Sequence, residues 1–386
     1  MSIVTPEEVI DFISDLVRID SVTPWLVEGG AGEAEVVDYF INWLADIPVE
    51  VEIQEIEPGR MNLIATLRGT GGGPSLCLNA HADTVGYAGW PDEALVPRLD
   101  GDRLYGLGAG DDKGCCAIAL FVLRHLALNG PKLRGDLIVA CVADEEGVSI
   151  GSEHLVKTMK PDYAVVIEAD ALPRVVVEHQ GFGWIDVVIH GRAAHGSTPD
   201  QGVDAIVGLA DVITRLHEWD QRYFAITPEP RNGKTVFHTG TIQGGTDYAT
   251  YPSKATLGIE IGTQPGETLQ DRVREIEAIV AIVAERMPGL RGEVNVRLDR
   301  EPFLAEGHER LLASLHGAAA LRLGTRLDEV GFNAWTDAAL MQAAGTPTVM
   351  LGPLGGNFHS PNEWVSISEV VATVDILAGA AVDLLS

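Results

Sequence analysis

The chain has 386 residues, 46% of them hydrophobic and 22% charged, with a formal net charge of −29. This is a globular composition on a chain too long for one ordinary core, so two domains are expected. The charge excludes nucleic acid and anionic membrane surfaces as partners, because no basic stripe is present to meet phosphates; a solvated acidic surface is the plain reading.

Thr5-Pro6-Glu7-Glu8 reads as an N-cap, a proline at the first helical position and a capping glutamate. Val9, Ile10, Ile13, Leu16 and Val17 then form a helical stripe, and Val36, Val37, Phe40, Trp43 and Leu44 mark a second helix. No basic segment followed by an apolar run opens the chain, so no signal peptide is expected. Strands are expected at 49–56, 62–67 and 75–79, a helix at 114–128, and strands at 136–143 and 163–167 around a helix near Glu153. This βαβ rhythm predicts an α/β domain with a mostly parallel, buried sheet, whose functional residues gather beyond the carboxyl ends of the strands.

The middle of the chain reads as strands at 175–179 and 184–190, a helix at 204–219, strands at 236–242 and 254–261, a helix at 268–286 and a strand at 293–298. That order predicts an inserted α+β sandwich. The expected division is a discontinuous metal-binding domain of residues 1–175 and 300–386, with a second domain of 176–299. Helices return after Glu301, and 348–351 reads as another buried strand. The apolar stretch 370–385 carries Asp375 and Asp383 and is too short and polar for a membrane span. Cys77, Cys115, Cys116 and Cys141 all lie in apolar contexts without zinc-knuckle spacing, which points to reduced core thiols and a cytoplasmic location.

Five segments at expected strand ends carry the chemistry. His81-Ala82-Asp83 places an imidazole and a carboxylate two residues apart, so that Asp83 can fix the tautomer of a metal-bound His81; alone it could be a loop histidine. The run from Gly106 to Gly114 could cradle a dinucleotide phosphate, but Asp111 occupies the third motif glycine and Asp111-Asp112 would repel a pyrophosphate. A metal-bridging Asp111 with Asp112 and Lys113 as supports fits better, beside the plainer reading of an acidic helix cap. Asp144-Glu145-Glu146 ends a very apolar strand. Neighbouring side chains point apart, so one glutamate can bind metal while the other faces substrate as a general base; a charged loop is the alternative. Glu168, with Asp170 as competitor, follows the next strand, and His359 lies in a glycine-flanked loop, where a histidine is often only a surface residue. Two histidines and three carboxylates suit a pair of imidazole-compatible divalent metals, zinc before magnesium or calcium, roughly 3.5–4 Å apart.

In this order, these segments resemble the co-catalytic zinc hydrolases that include acetylornithine deacetylase, succinyl-diaminopimelate desuccinylase, aminoacylase and glutamate-releasing carboxypeptidase. The resemblance spans nearly the whole chain. It implies a zinc-exopeptidase-like catalytic domain with a lid and dimerisation domain, two Zn2+ (or Co2+ or Mn2+), and a homodimer. It implies metal ligation by His81, Asp111, Glu146, Glu168 and His359, with Asp111 bridging and a cis peptide at Asp111–Asp112. Asp83 would orient His81, and Glu145 would be the base and later the proton donor. Gly191-Arg192-Ala193-Ala194-His195-Gly196 matches the family's lid motif, which implies oxyanion stabilisation by His195. Asp337 matches a further recurrent position.

Three departures concern the substrate. Ala249 stands where many members carry asparagine, Gly262 where many carry the arginine that holds a substrate carboxylate, and Leu107 replaces another common arginine. Arg192, Arg231 and Lys254 are the candidate replacements. The leading expectation is deacylation of an N-acyl amino acid or related amine. The alternatives are a dipeptidase or carboxypeptidase with the same centre, hydrolysis of an atypical amide lacking an α-carboxylate, and a non-catalytic binding protein on this fold.

Overall fold

In the computed structural model, residues 2–90, 93–223 and 231–386 are described. They divide into two compact units: residues 1–177, 305–330 and 336–386, and residues 178–304 with 331–335.

The first unit is built on a sheet whose centre is parallel. Leu76–His81 pairs in parallel with Leu137–Val142 on one side and Tyr163–Val166 on the other, and Thr348–Met350 continues the parallel run beyond Tyr163–Val166. These strands are almost wholly buried, so their sequences are continuous apolar runs with no polar alternation. Antiparallel strands flank the centre: Glu50–Glu57 and Arg60–Leu67 on one side, Arg174–His179 on the other. The helix Pro6–Arg18 has its capping box, with Thr5 accepting from the Glu8 N–H and Glu8 from the Thr5 N–H. The helix Lys113–Asn129 is buried along most of its length and packs with Ile367–Leu385 and Pro6–Arg18. No helix of the described residues is long and apolar enough to cross a membrane.

A small four-stranded sheet, in the order Gly355–Gly356, Trp364–Ser366, Arg103–Tyr105, Arg98–Asp100, was not legible in the sequence. Strands of two or three residues carry no period. Its consequence is large, because it ties the loop that carries His359 to the start of the glycine-rich run.

The second unit is an antiparallel sheet in the order Phe237–Gly244, Lys254–Thr263, Gly181–His190, Arg291–Arg300, with the helices Ala205–Tyr223 and Leu269–Arg286 packed on it. Alternate residues of the inner strands (Ile185, Val187 and Ile189; Ala255, Leu257, Ile259 and Ile261) meet Leu209, Val212, Leu216, Ile276 and Val283 in one core. The strand Phe237–Gly244 is an edge and is exposed along nearly its whole length. Residues 331–335, which the sequence reading left with the first unit, belong here because Trp335 stacks edgewise on Phe182 and donates from Nε1 to Glu301 O.

Candidate metal centre

The parallel strands deliver their carboxyl ends to one place. His81 is the last residue of Leu76–His81, Asp144 to Glu146 follow Leu137–Val142, and Glu168 follows Tyr163–Val166. Asp111 stands just before the helix Lys113–Asn129, joined to the N-cap residue Asp112 by a cis peptide. Thr348–Met350 leads into the loop that carries His359. Five residues thus converge as two donor groups, His81–Asp111–Glu168 and Asp111–Glu146–His359, each with its ligand atoms within 4.8 Å of one another. Asp111 is common to both. Its Oδ1 lies 3.0 Å from His81 Nε2 and its Oδ2 lies 3.1 Å from His359 Nε2. His359 Nε2 is also 3.0 Å from Glu146 Oε1, and His81 Nε2 is 3.9 Å from Glu168 Oε2. Glu145 belongs to neither group, although its Oε2 stands 4.0 Å from His81 Nε2.

The surroundings hold these groups by their backbones. Asp83, fully buried, sits 3.4 Å from His81 Nδ1. Its two carboxylate oxygens also accept the backbone N–H groups of Glu145 (3.1 Å) and Glu146 (3.2 Å). Asp83 thus orients an imidazole, with its carbonyl oxygen 3.1 Å from His81 Nδ1 and its carboxylate beside it, and fixes both glutamates. Asp112 accepts the His81 N–H, and Lys113 donates from Nζ to the carbonyls of Leu16 and Ile19 at the end of the first helix. Glu363 accepts the backbone N–H groups of Gly110 and Asp111, each at 3.0 Å, which fixes the bridging carboxylate from behind. Nothing in the sequence reading singled out Glu363; it is a lone acid four residues after His359, aimed by the small sheet.

A second unforeseen support lies under the glutamates. Asp144 adopts a left-handed conformation, φ 66°, which an aspartate tolerates better than most residues. Its Oδ1 accepts from Arg60 Nη2 (2.7 Å) and from the Thr23 hydroxyl (2.5 Å), while Arg60 also pairs with Glu33 through two nitrogens. Arg60, Glu33 and Asp144 are all buried. These residues come from three separated parts of the sequence, and single charged residues of this kind read as surface.

The donor chemistry fits divalent cations. Burial drives the carboxyls of Glu145 and Glu168 well above the usual range. Burial and the nearby Asp111 raise Glu146 to about 7. Burial also raises Asp111, but His359 and His81 outweigh it and hold that carboxyl low. Asp111 and Glu146 in turn lift His359 to about 11. Glu146 Oε1 is buried without a hydrogen-bond partner, although His359 Nε2 is at contact distance. Imidazole and carboxylate donors that converge on one shared Asp111, with a buried Glu146 oxygen left without a hydrogen-bond partner, are the arrangement a cation satisfies.

Residues 77–383 match the family described as Peptidase family M20/M25/M40. The chain belongs to that family. It is a hydrolase of carbon–nitrogen bonds. An acetylornithine deacetylase of Aliivibrio fischeri is 28% identical over 395 aligned positions that cover 95% of this chain and 96% of the relative. Among solved structures, the fold matches aminopeptidase PepT of Bacillus cereus (TM-score 0.77, 21% identity, all of both chains). It also matches the Bacillus subtilis YXEP protein, a dinuclear metal-binding peptidase of the M20 family (TM-score 0.74, 18% identity, 98% of both chains).

The remaining sequence candidates of this M20 family chain fall elsewhere. Asp170, the competitor of Glu168, pairs with Arg174 at 2.9 Å and lies outside both donor groups. Asp337 is buried and accepts from the Ser152 hydroxyl at 2.5 Å. Leu107 is buried against Val22 and Ala94 in a small apolar cluster. His195 belongs to the second unit, where its loop pairs with the segment around Ala249: the Gly196 N–H donates to Ala249 O, and the Tyr251 N–H to Ala194 O. The Ser197 N–H donates to His195 Nδ1, so a neutral ring carries its proton on Nε2. At Gly262 a Cβ would stand 2.8 Å from Gln180 Oε1, which accepts the Val236 N–H, while Gln180 Nε2 donates to the carbonyls of Asn232 and Lys234. A longer side chain there requires this network to move. Arg192 donates from Nε to Gln201 O, and Arg231 and Lys254 are exposed.

Two predictions follow from this geometry. Arg60→Leu leaves Glu33 and Asp144 buried and unpaired, and is expected to lower stability by about 3–5 kcal/mol in denaturant titration. A loss below about 1 kcal/mol would show that water replaces the guanidinium. Metal uptake supplies the second. With Glu146 raised to about 7 and His359 to about 11, Glu146 is partly and His359 fully protonated near neutrality in the metal-free protein. Ligation needs these protons gone, so binding releases protons and the apparent affinity rises with pH from about 6 toward about 11. Calorimetry of zinc binding in buffers of different ionisation enthalpy reads this release directly, and an enthalpy independent of buffer would contradict it.

Proposed function

We propose that this chain is a di-zinc amidohydrolase that deacylates an N-acyl amino acid or a related N-acyl amine. The observation that carries the reading is the position of Glu145: its carboxylate stands beside His81 but outside both donor groups, while the adjacent Glu146 belongs to one of them. A binding protein has no use for an uncommitted, largely enclosed carboxylate at such a centre.

His81, Asp111 and Glu168 would hold one zinc, and Asp111, Glu146 and His359 the other. Zinc there would polarise the amide carbonyl and make water more acidic, with Co2+ or Mn2+ as compatible substitutes. Glu145 accepts the proton of the water that attacks the carbonyl carbon, then gives it to the leaving nitrogen as the carbon–nitrogen bond breaks. Burial raises its pKa, which suits a group that must carry a proton between the two steps. Asp83 keeps Glu145 in place through its backbone N–H. His195, with Nε2–H free to donate in the neutral tautomer, is the proposed donor to the carbonyl oxygen as negative charge develops.

The deacetylase relative supports an acyl amino acid as substrate. The aminopeptidase neighbour keeps a dipeptide as the second reading. Four free, buried cysteines support a reducing, cytoplasmic setting. The exposed edge strand Phe237–Gly244 supports a homodimer formed by pairing with a second copy, because an uncovered edge presents unpaired main-chain groups. Sedimentation at micromolar concentration is expected to give a dimer, and a monomer there would remove that proposal.

The function is tested by amine release from N-acetyl, N-succinyl and dipeptide substrates, with and without chelator. Chelation should abolish release. Glu145→Gln should lower turnover roughly 10²–10⁴-fold with metal content near wild type. Substantial residual turnover in that variant would remove Glu145 from its role. His195→Ala should reduce kcat roughly 10²-fold or more.

A further inference from the structure

The segment 19–30 connects the first helix to the rest of the first unit without regular secondary structure, yet it is tightly held. The Thr23 N–H donates to Thr84 O, the Thr84 N–H to Ser21 O, and the Gly32 N–H to Val22 O. The Thr23 hydroxyl reaches Asp144, next to the proposed base, and its carbonyl accepts the N–H groups of Leu26 and Val27. Val22 packs against Leu107, the leucine that replaces a common arginine, and Ala94. On this fixed backbone three consecutive large apolar side chains face outward: Trp25, Leu26 and Val27 are 49%, 42% and 37% exposed. A run of this kind on a loop is unfavourable unless something covers it.

Its position indicates what covers it. Trp25 lies against Gly147, two residues after Glu145, where an added Cβ would stand 3.0 Å from Trp25 Cβ. Val27 lies against Gly86, three residues after Asp83, where an added Cβ would stand 2.5 Å from Val27 Cγ2. The apolar run therefore spans the two segments that carry the base and its positioning carboxylate. We propose that Trp25, Leu26 and Val27 form an apolar subsite of the metal centre, so that the preferred substrate carries an aromatic or branched aliphatic group next to the scissile amide. This rests on the hydrolase reading above and assigns its substrate class. Apolar contact supplies here the selectivity that a charged clamp would otherwise provide.

The test uses the zinc-loaded full chain, wild type and Trp25→Ala. Turnover is compared for N-acetylglycine, N-acetylphenylalanine and N-isovalerylglycine. Wild type should favour at least one apolar compound over N-acetylglycine by roughly tenfold or more in kcat/KM. That ratio should fall roughly tenfold in Trp25→Ala. Whichever arm gains, amine side or acyl side, locates the subsite. Equal kcat/KM across the set in wild type, or a ratio unchanged by the substitution, overturns the subsite and leaves the hydrolase reading standing. Calorimetry with acetohydroxamate and benzohydroxamate provides a readout without turnover. A phenyl gain in affinity that is lost in Trp25→Ala supports the subsite even where no amide is cleaved, an outcome that would count against the deacylase reading alone. No phenyl gain, or no binding of either compound, counts against the subsite.

Discussion

Asp111 is the one carboxylate shared by both donor groups, and the rest of the centre is arranged around keeping it charged and still. A buried carboxylate is costly unless it is paired and hydrogen-bonded. Here His81 and His359 face its two oxygens, and Glu363 holds the backbone that carries it. Glu363 reaches that position only because the strand Trp364–Ser366 pairs with Arg103–Tyr105, so a sheet of very short strands sets the geometry of the bridge. Trp364–Ser366 pairs on its other side with Gly355–Gly356, so both ends of the His359 loop are fixed relative to the glycine-rich run.

The two glutamates after Asp144 illustrate how adjacent identical residues acquire different roles. Both backbone N–H groups end on the oxygens of Asp83, so the pair cannot drift independently of His81. Glu146 meets His359 and is grouped with Asp111, whereas Glu145 stands outside that group, 4.0 Å from His81 Nε2. The left-handed turn at Asp144 starts the segment, and the buried Arg60 keeps that turn in place by neutralising Asp144 and Glu33 together. A buried charge group of this type adds little to net stability compared with an apolar core, but it collapses if one partner is removed. Its value lies in specifying one conformation under the residues that react.

Much of the centre was legible because chemistry and period coincide there. A fully apolar strand that ends in acids or a histidine has few structural explanations, and four such ends in one parallel sheet point to one place. The βαβ order and the α+β middle segment followed from the change between continuous and alternating apolar runs. What stayed hidden was long-range and single-residue. Glu363 depends on strands of two and three residues, Arg60 pairs with acids 27 and 84 positions away, and Trp335 joins the second unit through ring contacts. None of these leaves a periodic trace. The double duty of Asp83 was half seen: its place beside His81 is a local spacing, but its bonds to Glu145 and Glu146 cross from one strand end to the next.

The substrate problem also has a physical form. An arginine that grips a carboxylate gives directional, bidentate recognition, and a glycine in its place is a loss unless the position serves something else. At position 262 it does: the space is taken by Gln180, whose amide holds three backbone groups of the adjoining segment, so the local fold has traded a charged reach for a buried amide network. Leu107 shows the same substitution of packing for charge, since it is buried under the loop that begins at Val22. Both departures remove cationic groups from a chain that is already strongly acidic. A substrate recognised mainly through a second carboxylate would meet a repulsive field here, whereas one recognised through hydrocarbon would not, because apolar contact is indifferent to net charge.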